Sequence, residues 1–365
     1  MNGISSHVFD FDDTHLETII HPAGPVASAL LPFAEHRKVS GADLLHAFIL
    51  GVEVECRIGN ALYPAHYDVG WHITGTAGVF GAAAAAGKLL SLDEQRMTWA
   101  LGIAGTQSAG FREMFGTMCK SFDPGRAAQN GMMAAFLAEK DFTSSNQVLE
   151  AKRGFCNVMS TKVDYDEITS RLGETWEIAL NSYKPFACGI VIHPTIDACI
   201  QLRNEHNLAA EDIQGIVARV HPLVLELTGK KTPQVGLEGK FSVYHSAAVA
   251  VVHGAGGEEE YSDACVRDPR VVMLRDKVEA IATPSIREDE AYVTMRLKDG
   301  RTVEKHIDHA IGSLERPMSD ADVDAKFRKL AGAVLPKGQV ETLLTLCRSV
   351  ESLKDAAEIA RAAVG

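Results

Sequence analysis

Residues 70–90 read GWHITGTAGVFGAAAAAGKLL, and Lys88 is the only Lys, Arg, Asp or Glu among them. From Thr76 to Leu90 there is little polar character on any face, which predicts a helix buried inside a bundle. The low-charge run from Gly75 to Gly87 is too short to cross a bilayer. Gly75, Gly78 and Gly81 are spaced by three and follow no strand, so they form no dinucleotide-binding fingerprint. Close helix packing through small residues is the simpler reading. Ser91 and Glu94 match a capping box, which predicts a helix over about 92–109. Another is expected from Pro124 to Lys140, with the proline in its first turn.

The pattern changes after about Leu180. Gly215–Val220 alternates like a strand, and Phe241–Val252 looks helical. Tyr292–Leu297 and Thr302–Ile307 are alternating runs joined through Asp299-Gly300, a strong hairpin signal. Helical character returns near Ser319 and ends in an alanine-rich segment at 354–364. The expected fold is therefore mostly α with an α+β insert. A large all-helical domain (residues 1–180 and 317–365) would carry a smaller α/β lid domain (181–316). The length of 365 residues suits two domains.

The net charge of −12, from 36 basic and 48 acidic residues, argues against nucleic acid as a partner. A local basic pocket could still hold a small anion. The seven cysteines are scattered without a C-x-x-C pair, so a zinc knuckle or iron–sulfur cluster is poorly supported. With no signal-peptide layout and no membrane span in the sequence, a reduced, cytoplasmic setting is expected.

Four segments could carry chemistry. The first is Asp10-Phe11-Asp12-Asp13-Thr14 with His21-Pro22, and the second surrounds His72. The third runs from Lys120 to Arg126, and the fourth from Lys184-Pro185 through Cys188 to His193-Pro194. Asp10, Asp12, Asp13 and a histidine could hold a hard cation, or could be a capping and turn cluster. His72, between glycines and just ahead of the apolar helix, could face a ligand or be an ordinary buried histidine. Lys120 could bind an anion near a helix start or be a surface lysine. What remains is acid–base chemistry with no cofactor and no metal.

In combination these blocks resemble the MmgE/PrpD family: DFDDTH (Asp10–His15), His21-Pro22, GWHITGTAG, MCKSFDPGRAAQNG, the KP…C…HP segment and FSVYH (Phe241–His245). The resemblance spans nearly the whole chain. It implies a helical domain, an inserted α/β lid, an active site in the cleft between them, and a homodimer through the helical domain. It maps catalytic roles onto Asp10, Thr14, His21, His72 and Lys120, and substrate binding onto His193, Arg126 and, more loosely, Tyr244. The implied activity is a cofactor-independent lyase, a dehydratase or decarboxylase, acting on a small di- or tricarboxylate such as 2-methylcitrate or cis-aconitate. Lys120, Arg126 and His193 would hold carboxylates. His72, oriented partly by Asp10, would move the proton, with His21 completing the relay. Epimerisation of an iminodisuccinate-like substrate, or a catalytically inactive assembly role, are the alternatives.

Two departures from the family pattern bear on these expectations. Relatives carry further helices ahead of the first motif; without their packing, Asp10 and Thr14 are expected to fray. Asp123 stands where many relatives have histidine. Its charge, three residues from Lys120, is expected to weaken anion binding or raise the lysine's pKa.

Overall fold

The computed structural model describes residues 1–364. Helices of six residues or more are labelled in chain order. The first six are α1 (Asn2–His7), α2 (Ala23–His36), α3 (Gly41–Leu62), α4 (Ile73–Leu89), α5 (Glu94–Gly105) and α6 (Cys119–Glu139). Helix α4 is the axis of the bundle. Every residue from Ile73 to Gly87 is buried, and α2, α3, α5 and α6 pack around it. Small residues make this possible: a Cβ on Gly131 of α6 would lie 2.5 Å from the Val79 carbonyl of α4. Helix α1 seats on α6 equally closely, since a Cβ on Gly3 would meet the Gly125 Cα at 2.5 Å.

Two helix starts differ from the expected ones. Ser91 does not cap α5. Its backbone is left-handed (φ 53°), and the amides of Ser91 and Leu92 bond the carbonyls of Lys88 and Gly87, closing α4 in a Schellman motif. Asp93 is the cap instead, its side chain accepting from the Arg96 amide. Helix α6 begins at Cys119 and takes Pro124 inside, so Lys120 sits in its first turn.

The lid has its own core, built from residues between Phe186 and Ala310. Its labelled helices are α7 (His193–His206), α8 (Pro222–Thr228), α9 (Val243–Val252) and α10 (Pro269–Arg275). Strands β1 (Thr14–His15) and β2 (Asn181–Ser182) form a separate antiparallel pair that ties the first motif to the chain entering the lid. The lid sheet consists of β3 (Ile213–Val220), β4 (Val278–Ala282), β5 (Ala291–Leu297) and β6 (Thr302–Ile307), in the order β4-β3-β5-β6. Only β3 and β4 run parallel. The β5–β6 hairpin turns through Gly300 at φ 90°, a value glycine adopts freely.

Helices α11 (Asp320–Gly332), α12 (Lys337–Arg348) and α13 (Ala357–Ala362) follow. The chain then rejoins the bundle: the Gly41 amide bonds the Leu353 carbonyl, and the Ala356 amide bonds that of Val39, both at 2.8 Å. Among the described residues, no helix is long and apolar enough to cross a membrane.

Candidate active site

A cavity lies where the helical bundle meets the lid. Asp10, Ile19, His21, Tyr67, His72, Phe115 and Lys120 line it from one side. Lys184, Gly189, Ile190, Val191, Leu227, Thr228 and Phe241 line it from the other. About 30 Å³ of it admits the centre of a water molecule. That is room for roughly two waters.

His72 occupies the N-cap position of α4. Its Nδ1 lies 2.8 Å from Oδ2 of Asp123 on α6, and Nε2 has no partner among the described residues. The carboxylate therefore selects the tautomer with a proton on Nδ1 and leaves Nε2 as the basic nitrogen. Burial outweighs the Asp123 hydrogen bond and lowers the imidazole's pKa to about 4, with Lys120 adding repulsion. Asp123 thus pairs with His72, while Lys120 pairs with Asp10. Asp10 does not orient His72.

Lys120 donates to Oδ1 of Asp10 at 2.5 Å and approaches Nε2 of His7 at 2.6 Å. The other His7 nitrogen, Nδ1, meets Oδ2 of Asp12 at 2.5 Å. A buried chain Asp12–His7–Lys120–Asp10 results, in which His7 meets Asp12 through Nδ1 and the lysine ammonium through Nε2. The third ammonium proton has no partner among the described residues and is free for a ligand. The rings of Phe115 and Phe241 flank Nζ at 5.3 and 5.6 Å. Burial lowers the Lys120 pKa more than Asp10 raises it, the reverse of the expected upward shift.

Burial would raise Asp10 and Asp12, but nearby lysine and imidazole groups outweigh it. Lys120, His7 and Lys184 hold Asp10 below its ordinary value, and His7, His21 and Lys184 hold Asp12 well below. Both are ionised at neutral pH. Asp13 is pushed up to about 6 by burial, with the Asn181 hydrogen bond opposing, and accepts from the Ala23 amide at the start of α2. The acidic run is therefore split between lysine and histidine partners and a cap. Three other groups bring histidine and carboxylate atoms within 4.8 Å of one another: His15/Glu17/Glu177, Asp289/His309/Glu315 and Glu290/His306/Asp308. None of them lines the cavity.

His21 lines the cavity, with Nδ1 at 2.7 Å from the Asp13 carbonyl and 3.1 Å from Thr14 Oγ1. Burial and the nearby lysines keep the ring neutral, its pKa well below the usual value. Thr14 does not line the cavity; its hydroxyl stands behind His21 as a support. Asp10, His21, His72 and Lys120 are thus brought together. The three residues expected to bind substrate are not. Arg126 is exposed and bonds Gln129. Tyr244 is buried in the lid core. His193 lines a separate small cavity with Ser182, Glu288 and Asp289, behind Ile190 and Val191. His7 and Lys184 are additions. Lys184 belongs to a segment the sequence singles out, whereas His7 carries no local signal.

The first motif is tied down by its contacts. Asp10, Asp13 and Thr14 are all buried, and α1 is packed on α6, so the expected fraying has no counterpart in the packing.

Residues 1–168 match the MmgE/PrpD N-terminal domain and residues 186–352 the MmgE/PrpD C-terminal domain. The chain belongs to this family. It is 30% identical to a cis-aconitate decarboxylase of Homo sapiens over 97% of this chain and 76% of that one. A cis-aconitate decarboxylase of Aspergillus terreus is 29% identical over 95% of this chain and 76% of its own. A mitochondrial 2-methylcitrate dehydratase of Yarrowia lipolytica is 26% identical over 37% of this chain and 28% of its own.

Proposed function

We propose that this chain is a lyase that removes CO2 from a small unsaturated tricarboxylate such as cis-aconitate, using its own acid–base groups. One observation carries the reading: two buried lysines, Lys120 and Lys184, line one cavity beside the neutral imidazoles of His72 and His21. Asp10 and Asp12 balance the two lysines, so an arriving trianion adds uncompensated negative charge. That charge raises the pKa of His72, whose bare Nε2 takes up a proton as the substrate binds.

Lys120, through its free N–H, and Lys184 hold carboxylates. Breaking the bond from the allylic carbon to its carboxylate releases CO2. The bonding pair forms a new double bond, and the displaced π pair moves to the far carbon beside another carboxylate. The lysines stabilise that charge, and the His72 imidazolium protonates the carbon. Trianion plus one proton becomes dianion plus CO2, and His72 returns to neutral. Space for about two waters does not admit a tricarboxylate, so the lid must part from the bundle during each turnover.

Partial similarity to the dehydratase makes loss of water from 2-methylcitrate the second reading. It would use the same groups, with proton removal beside a carboxylate. A proton NMR time course on cis-aconitate, 2-methylcitrate and iminodisuccinate is the test. Catalysed loss of cis-aconitate with stoichiometric CO2 is expected. Turnover of 2-methylcitrate or iminodisuccinate alone, or of none, rejects the first reading.

A further inference from the structure

The carbonyls of Phe9, Asp10 and Phe11 each receive a lysine ammonium, and the three lysines come from distant parts of the chain. Lys240, ahead of α9 in the lid, reaches Phe9 O at 2.7 Å. Lys184, where the chain enters the lid, reaches Asp10 O at 3.3 Å. Lys326, on α11 after the lid, reaches Phe11 O at 2.5 Å. Lys184 and Lys240 are almost wholly buried, and Lys326 is partly so, its ammonium lying 4.2 Å from the centre of the Phe11 ring.

The stretch they grip is the one that needs holding. Asp10 has φ 50°, a left-handed conformation that costs a non-glycine residue of order 1 kcal/mol or more. In that conformation its carboxylate meets Lys120 and its carbonyl meets Lys184. Each outer lysine also ties a second segment to the same point. Lys240 bonds the Ala187 carbonyl and Glu258, and Lys326 bonds the Lys184 carbonyl at 2.8 Å. No carboxylate lies within ion-pair distance of Lys326 among the described residues, so its hydrogen bonds go to two backbone carbonyls.

We infer that Lys326 and Lys240 are positioning residues: by gripping the Phe11 and Phe9 carbonyls they hold Asp10 in its left-handed conformation, and so set the Asp10–Lys120 contact facing the cavity. Neither lines the cavity. The kinetic part of this inference rests on the proposed lyase reading; the structural part does not.

Lys326→Met keeps the aliphatic stem, and Lys326→Arg restores a cation. Hydrogen exchange followed by mass spectrometry on the full chain should show residues 8–14 of Lys326→Met exchanging about tenfold faster. Residues 73–89 and 243–252 should be unchanged, and Lys326→Arg should return most of the protection. On whichever carboxylate the NMR assay identifies, Lys326→Met should lower kcat about tenfold with KM within about twofold. Lys240→Met should give the same local pattern if it folds. Unaltered exchange over 8–14 in Lys326→Met overturns the inference whether or not a substrate is known. Fast exchange throughout the chain, or a rise in KM alone, also overturns it. If no carboxylate turns over, the lyase reading fails and the exchange result still decides the grip.

Discussion

The two walls of the cavity differ in kind. The bundle wall presents Asp10, His21, His72 and Lys120, all buried and each tied to another protein group. The lid wall presents Gly189, Ile190, Val191, Leu227, Thr228 and Phe241, with Lys184 as its one ionic group. The groups we propose for proton transfer therefore stand on long helices and a tied-down motif, where their geometry is reproducible. The lid wall carries mostly apolar surface, which excludes water without needing a precise register.

The sharpest way to break this contrast is Lys120→Met. It strands Asp10 and His7 in a buried site, so stability should fall by about 3–5 kcal/mol. Turnover should fall by about 10³-fold. Urea unfolding and the NMR assay check the two, and near-native values in both would refute the bundle wall as the chemical one. Asp123→Asn is milder. It leaves a partner for His72 but removes the charge that supports an imidazolium, so kcat should drop by about 10²-fold with helix content by circular dichroism unchanged.

Acid should also weaken the bundle wall. His72 falls from 6.5 to about 4 on folding, and His21 lies well below its usual value. Between those limits the unfolded chain binds more protons than the native one, so stability decreases as pH falls through the window. Asp13, raised to about 6, and buried Glu55, raised well above its usual value, act in the opposite direction. Histidines shifted downward outnumber them, His66 and His245 also lying near 4. The unfolding midpoint should fall from pH 7 to pH 5, less steeply in His72→Gln, as calorimetry can check.

Phe241→Ala on the lid wall should cost only about tenfold in kcat/KM, mostly through KM, in steady-state kinetics. Arg126→Ala should stay within about twofold, because Arg126 is exposed and outside the cavity. A large effect there would place a missing carboxylate-binding group on the bundle surface.

The blocks around Asp10, His72 and Lys120 were legible because short-range pattern marks them: turn residues, flanking glycines and helix starts. The Asp299-Gly300 hairpin and the apolar run of α4 were legible for the same reason, since strand period, helix period and turn chemistry are local. The start of α5 was missed by local competition, Ser91 serving the end of α4 while Asp93 capped its successor. His193 and Arg126 sit in blocks of the right kind, but backbone direction turns Arg126 outward and places His193 behind Ile190 and Val191.

Partner choice belongs to the tertiary structure. His72 finds Asp123 across 51 residues, and Lys120 finds His7 across 113. Lys326 reaches Phe11 across 315. In water these groups would be solvated separately and would need no partner. Once packing removes the water, an unpaired charge costs several kcal/mol, and each must take whichever counter-group the surrounding helices bring within reach. Residue type and spacing determined that Asp10, His72 and Lys120 could do acid–base chemistry. Burial decided which of them is neutral, which is charged, and which atom is left free to face a substrate.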